Sequence, residues 1–148
     1  MRILSLDPGT NQSGFCLLQG ETVLESVVFD NPTMRVYLKA TEADFLAIEM
    51  IASYGMPVGK ETFETVLWIG RFMEAWGNDD QVQLIYRKDV KSFLCGSMKA
   101  KDANIRQALI DKLGPVGTAK NKGPLYGVKS HAWSALAVGI TAAAKAAL

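Results

Sequence analysis

Two acidic residues in this chain stand at the ends of apolar segments of strand length. Asp7 follows the run Ile3-Leu4-Ser5-Leu6, and Pro8-Gly9 forces a turn before the next apolar run, Phe15-Cys16-Leu17-Leu18. This pattern predicts a hairpin with a carboxylate at its mouth. Because an unpaired buried carboxylate is costly, Asp7 either meets a cation, for which a metal ion is a natural partner, or caps the turn through an Asx hydrogen bond. The residues alone leave both interpretations open.

The second acid, Glu49, ends the continuous apolar run Phe45-Leu46-Ala47-Ile48. A run without alternation is typical of a central strand buried on both faces. If this strand lies parallel to the first, both carboxylates project at one edge of the sheet, where ligands of α/β sheets bind. Two adjacent carboxylates repel each other unless a divalent cation lies between them, and hard oxygen ligands favour Mg²⁺ or Mn²⁺. The alternative is that Glu49 is a surface residue at the end of a strand.

The only histidine of the chain, His131, lies near the start of the predicted last helix. A single histidine is more often a surface residue or a hydrogen-bonded core residue than a ligand. A helix packed across the sheet can instead bring His131 to the edge that carries the two acids, where it would serve as a metal ligand or a general acid/base.

The periodicity of the chain predicts one α/β domain over residues 1–148, with three antiparallel strands first. We expect the strands at residues 3–6, 15–18, 22–29, 45–48 and 82–86, and helices at 33–43, 61–76, 89–95, 103–113 and 128–147. Asp102 is the predicted N-cap of the fourth helix, and residues 114–126 are a predicted mobile loop suited to phosphate contacts. The aromatic residues of helix 61–76 are predicted to be core or dimer-face residues: Phe63, Trp68, Phe72 and Trp76.

The composition, with 49% hydrophobic and 21% charged residues, is that of a globular protein. No apolar run reaches the ~18 residues that a membrane span needs, and the chain begins with a predicted strand where a signal peptide would have an apolar core. We therefore expect a cytoplasmic protein without membrane contact. Cys16 and Cys95 are far apart within apolar segments, so they are predicted to be reduced core residues.

The net charge of +1 hides a strong asymmetry along the chain. Residues 1–86 contain 5 Lys/Arg and 12 Asp/Glu, whereas residues 87–129 contain 10 Lys/Arg and 3 Asp/Glu. This asymmetry predicts a polyanionic partner such as nucleic acid, and its alternative is a solvated basic face. The residues predicted to contact DNA are the aromatic Tyr54 and the basic Arg87, Lys88, Lys91, Lys99, Lys101, Arg106, Lys120, Lys122 and Lys129.

Nearly the whole chain resembles the RuvC-type Holliday junction resolvases of the RNase H-like superfamily, in particular their short phage versions. The resemblance lies in the order and spacing of several segments, since an Asp-x-Gly-Thr sequence alone also occurs in actin-like kinases. These segments are Ile3 to Thr10 with Ser13-Gly14-Phe15, Ala47-Ile48-Glu49, Val90-Lys91 with Gly96 and Lys101-Asp102, and His131-Ala132-Trp133-Ser134-Ala135-Leu136-Ala137.

The resemblance implies a mixed five-stranded sheet flanked by helices, and a homodimer that nicks two strands of a four-way DNA junction with carboxylate-bound Mg²⁺ or Mn²⁺. It implies no small-molecule cofactor and, for a phage protein, the cytoplasm of a bacterial host. Asp7 and Glu49 would be metal ligands, and His131 lies where the family has Asp or His. Lys91 and Lys101 fall near lysines that support cleavage or DNA contact, and Tyr54 falls in a loop whose aromatic residue probes the junction.

One position departs from the family pattern, because Ser134 stands where the family has an acid. A hydroxyl is a weaker ligand for a hard dication, so this departure affects a second metal position. Residues three apart share a helix face, and Ser134 is therefore still predicted to point toward the site with His131. The alternatives are an RNA nuclease resembling YqgF, and a junction-binding protein that does not cut because Ser134 replaces the acid.

Overall fold

One mixed five-stranded sheet forms the centre of the computed structural model, which describes residues 1–147. The strand order is β3-β2-β1-β4-β5; β1, β2 and β3 are antiparallel, and β4 and β5 run parallel to β1. The predicted antiparallel start and the parallel pairing of the first and fourth strands are confirmed. The strands are β1 (Arg2–Asp7), β2 (Gln12–Gln19), β3 (Thr22–Asp30), β4 (Phe45–Met50) and β5 (Val82–Tyr86).

Five helices flank the sheet within the described residues: α1 (Asn31–Ala40), α2 (Lys60–Trp76), α3 (Arg87–Cys95), α4 (Asp102–Leu113) and α5 (Ala132–Ala146). The prediction that Asp102 caps α4 is wrong. Lys101 is the N-cap and Asp102 is the first helical residue. The carboxylate of Asp102 instead accepts a hydrogen bond from Arg87, while the Asn104 side chain accepts from the backbone N–H of Lys101 at 2.9 Å.

The last helix begins four residues later than predicted, at Ala132. The backbone of Ser130 has φ +52°, which is incompatible with a right-handed helix, so residues 128–131 form turns before α5 starts. The predicted loop 114–126 is folded: Gly117 and Lys122 form a β-bridge, and Leu125 is fully buried.

The alternation of side chains along the strands produces two apolar cores, one on each side of the sheet. On what we call the α5 side, Ile3, Cys16 and Ala47 pack with α3, α4 and α5. On the α2 side, Leu4, Leu6, Phe15, Leu17, Leu46 and Ile48 pack against α1 and α2. Cys16 is buried as predicted and Cys95 is half-buried, both as free thiols. None of the helices in residues 1–147 is both long and apolar enough to cross a membrane.

Candidate active site

Asp7 and Glu49 lie side by side where two parallel strands end. Leu6 of β1 pairs with Ile48 of β4, so the next residue of each strand is one of the two acids. Both acids alternate with residues of the α2 side and therefore point to the α5 side. Their side chains are only 14% and 15% exposed, and the two carboxyl groups lie close enough for each to shift the pKa of the other. The adjacency predicted from the sequence is thus confirmed.

Burial is the main reason why both acids resist ionisation. It raises the pKa of Asp7 above its usual value, although the hydrogen bond with Glu49 and the charge of Arg87 act in the opposite direction. Burial, together with the hydrogen bond and the negative charge of Asp7, raises the pKa of Glu49 to about 8. At neutral pH Glu49 therefore retains its proton. A divalent cation can replace this proton, so the donor set fits the predicted metal.

His131 reaches the acids because the start of α5 packs directly on β2. Its Nδ1 lies 3.3 Å from Oδ2 of Asp7, with the imidazole about half exposed. Gly14, the β2 partner of Asp7, makes this approach possible, since any Cβ there would collide with the backbone carbonyl of His131. The sequence analysis placed His131 at this edge of the sheet, but it did not identify the role of Gly14.

A buried polar network holds the loop that follows Asp7, and the sequence analysis missed it. The Ser13 hydroxyl donates to Oδ1 of Asn31 at 2.6 Å, and Nδ2 of Asn31 donates to the carbonyl of Gly9 at 2.9 Å. The Gly9 N–H in turn donates to Ser13 Oγ at 3.3 Å. Ser13 and Asn31 are both fully buried, so the network fixes the turn beside Asp7. The only sequence signal is Asn31 itself, a polar residue between Asp30 and Pro32 that follows the predicted third strand.

Arg87 lies on the other side of the acid pair from His131. It is the first residue of α3 and directly follows β5, the neighbour of β4. Its Nη1 is 3.7 Å from Oε1 of Glu49, and its Nη2 donates to Oδ1 of Asp102. The guanidinium thus joins a buried carboxylate to an exposed one, since the Asp102 side chain is 89% exposed. The sequence analysis assigned Arg87 only to the basic set.

Two cavities adjoin this site, and Arg87 forms a wall of each. The first, here called the tyrosine cavity, has a volume of about 260 Å³ and is lined by Pro8, Glu49, Met50–Ala52, Tyr54 and Arg87. The second, the tryptophan cavity, has about 340 Å³ and includes Arg87, Asp102, Arg106, Ser130, Trp133 and Ser134 in its wall. Tyr54 and Ser130, one in each cavity, are the non-glycine residues with positive φ within residues 1–147. Such backbone conformations are concentrated at functional sites.

The remaining predicted residues are placed around this site at different depths. Ser134 lines the tryptophan cavity and Lys91 is half-buried on α3, but no hydrogen bond or ion pair within residues 1–147 joins either one to Asp7 or Glu49. Among the same residues, no group of three or more His, Cys, Asp or Glu side chains is arranged to hold a metal. The fit to a metal therefore depends on the two carboxyl groups. The exposed members of the predicted DNA-binding set are Tyr54, Lys88, Lys99, Lys101, Arg106, Lys120, Lys122 and Lys129.

Comparisons with known proteins identify the fold of this chain. No family model matches the chain, and no curated protein matches it. The chain is similar to the RuvC structure of Thermus thermophilus, with a TM-score of 0.79 and 16% identity over 99% of this chain and 96% of that one. It is also similar to T. thermophilus RuvC in complex with a Holliday junction substrate, with a TM-score of 0.74 and 17% identity over 99% and 94% of the two chains. The chain therefore has the RNase H-like fold of RuvC, as the resemblance predicted.

Proposed function

We propose that this protein is a metal-dependent endonuclease that resolves Holliday junctions or other branched DNA by paired nicking. The observation that carries the proposal is the buried pair Asp7 and Glu49, which lies at the carboxyl edge of the sheet and is flanked by His131 and Arg87. The fold shared with a RuvC that was solved with a Holliday junction supports this substrate class.

Asp7 and Glu49 are the groups that would hold Mg²⁺ or Mn²⁺, with His131 and Ser134 as the further predicted ligands. When bound, the ion supplies an acidified water for hydrolysis and neutralises charge on the phosphate. His131 is placed to accept or return a proton beside Asp7, because its imidazole is both close to that carboxylate and half exposed. Lys91, half-buried on α3, is the further predicted catalytic residue.

DNA would be held by the basic second part of the chain, residues 87–129, most of whose cations are exposed. Phosphate contacts position DNA and make binding depend strongly on salt. Two aromatic rings already lie near cations of this set: Lys88 Nζ is 6.0 Å from the centre of the Tyr54 ring, and Lys122 Nζ is 5.2 Å from that of Tyr126. We expect junction affinity to fall steeply between low and physiological salt.

Paired nicking requires two sites, and α2 supports a homodimer. Phe63 and Leu67, one turn apart on the same face, are 61% and 60% exposed, and Val66 beside them is 36% exposed. Exposed apolar rows of this kind are typical of protein interfaces. Pairing of two antiparallel α2 helices about Leu67 would bring Lys60 opposite Glu74 of the partner subunit, so the charges are complementary.

The decisive experiment is nicking of a labelled four-way junction and of a matched linear duplex with Mg²⁺, Mn²⁺ or EDTA. We expect metal-dependent cutting of the junction alone, reduced at least about 1000-fold by Asp7→Asn through the loss of metal binding. Asp80→Asn is the matched control, since Asp80 is exposed in the turn before β5. Cutting of structured RNA in preference to the junction would contradict the DNA assignment.

The second candidate is a junction-binding protein without cleavage, and Ser134 is the observation that favours it. Its hydroxyl lies in the tryptophan cavity and is the position at which the resemblance expects an acid. If the unaltered chain binds junctions tightly without metal and only Ser134→Asp cuts, this second function replaces the first.

A further inference from the structure

The tryptophan cavity has the shape and chemistry of a nucleotide site. Its volume of about 340 Å³ lies at the lower end of the range of small-molecule sites. Its lining includes two guanidinium groups, from Arg87 and Arg106, and the Trp133 indole, over one face of which the Arg106 guanidinium lies. The floor is apolar, since Ile105 and Leu109 are buried there. Guanidinium groups bind phosphate, whereas an indole and an apolar floor accept a base.

Arg87 already holds an anion at the mouth of this cavity. The exposed carboxylate of Asp102 accepts a hydrogen bond from Nη2, and it belongs to the first turn of α4. An ion pair with one largely exposed partner is weak, so a phosphate with more charge can displace Asp102 from Arg87. The Arg87 guanidinium also lies 3.7 Å from Glu49. A phosphate that takes the place of Asp102 would therefore lie next to the acid pair.

We propose that the tryptophan cavity binds one nucleotide of the DNA strand, next to the phosphate that is cut, and that Asp102 occupies its phosphate position when DNA is absent. The proposal rests on the proposed nuclease function for its location, but not for its chemistry. Arg106 lies 4.6 Å from the centre of the Trp133 ring and contributes both its charge and the positioning of the indole.

The test uses thymidine 3′,5′-bisphosphate with the full chain in EDTA, and reads intrinsic tryptophan fluorescence. Binding should quench Trp133, and Trp133→Phe should abolish the quench, because Trp68 and Trp76 lie on the α2 side. Arg106→Gln should weaken binding about tenfold through the loss of a charge-assisted hydrogen bond. Asp102→Asn should strengthen binding about threefold, since Arg87 no longer has a competing carboxylate.

Arg71→Gln is the matched control, because Arg71 stacks on Trp68 at the same 4.6 Å but on the α2 side of the sheet. Binding must be unchanged in this variant. Equal losses in Arg106→Gln and Arg71→Gln would overturn the proposal. So would inorganic phosphate that binds as tightly as the bisphosphate, which would reduce the cavity to an anion site.

Junction nicking with Mg²⁺, measured on the same preparations, separates this inference from the proposed function. Bisphosphate binding without any nicking would overturn the nuclease function and support a nucleotide site in the tryptophan cavity. Nicking by a chain that does not bind the bisphosphate would overturn the nucleotide site alone.

Discussion

The helices on the two sides of the sheet differ in the share of their residues that is buried. In α5, nine of 15 residues are buried, whereas in α2 only three of 17 are, although both helices pack on the same sheet. The helix α5 is rich in Ala and has Gly139 facing the sheet, so its backbone comes close enough to β1 and β2 to place His131 beside Asp7. The helix α2 is attached through Ile69 and Phe72 and leaves Phe63 and Leu67 exposed. One layer thus builds the site, and the other offers a surface.

The largest expected effect concerns the exposed row of α2. Leu67→Glu should raise the dissociation constant of the proposed homodimer at least about 1000-fold, because it places two like charges at the centre of the proposed apolar contact. Sedimentation equilibrium checks the mass, and circular dichroism checks that the monomer is folded. Lys39→Glu, an exposed charge reversal on α1, is the control and should leave the mass unchanged. A wild-type chain that is monomeric at all concentrations would contradict the proposal that α2 forms a homodimer interface.

The second effect compares the same substitution in both helices. Gly139→Ala in α5 should lower the free energy of unfolding by about 2 kcal/mol, since the added Cβ would lie 2.6 Å from Leu18 Cδ1 and 2.7 Å from Ser5 Oγ. Gly70→Ala in α2 should raise it by about 0.5–1 kcal/mol, because nothing lies within 4 Å of the new methyl and alanine favours the helix. Urea denaturation measures both, and equal effects would show that the two layers are packed alike.

The third effect is a dependence of stability on pH that originates on the α5 side of the sheet, where Asp7 and Glu49 lie. The folded-state pKa of Glu49, about 8, lies above the ordinary value of 4.5, so between these values the folded chain binds a proton that the unfolded chain lacks. Without metal, this stabilisation is complete below pH 4.5 and is lost as the pH rises through 8. The free energy of unfolding should fall by up to about 1.4 kcal/mol per pH unit in this window.

Glu49→Gln should remove that decrease in stability with pH, whereas Glu42→Gln in the exposed turn before β4 should keep it. Urea denaturation at pH 5, 6, 7 and 8 in EDTA measures the effect. A flat profile for the unaltered chain would mean that Glu49 does not hold a proton in the folded state.

The fourth effect concerns the buried hydrogen-bond network of Gly9, Ser13 and Asn31 beside Asp7. Asn31→Ala should cost about 1–3 kcal/mol of stability, since it leaves the Ser13 hydroxyl and the Gly9 carbonyl without their buried partner. Asn78→Ala, which removes only the exposed hydrogen bond to Asp80, is its control. If Asn31→Ala keeps full stability while losing nicking, the network positions the Asp7 loop without stabilising the fold.

The sequence alone determined which segments become strands and where their acids stand. Apolar runs that end in Asp7 and Glu49 specify both the strand type and its end, because period and turn residues are local properties. The order of the elements then restricts the topology, so the antiparallel start and the parallel β1–β4 pair were predicted correctly. The start of α5 and the cap of α4 were not, because nothing in the sequence marks the positive φ of Ser130, and the Asp102 carboxylate pairs with Arg87, 15 residues away.

Only the tertiary structure decided how these segments become a site. His131 and Asp7 are 124 residues apart, and their 3.3 Å contact exists because Gly14 admits the helix backbone. Arg87 was one cation among ten in its segment until packing brought it between Glu49 and Asp102. Chain order cannot specify such contacts, since they depend on how closely two packed surfaces approach and on which charges remain buried together.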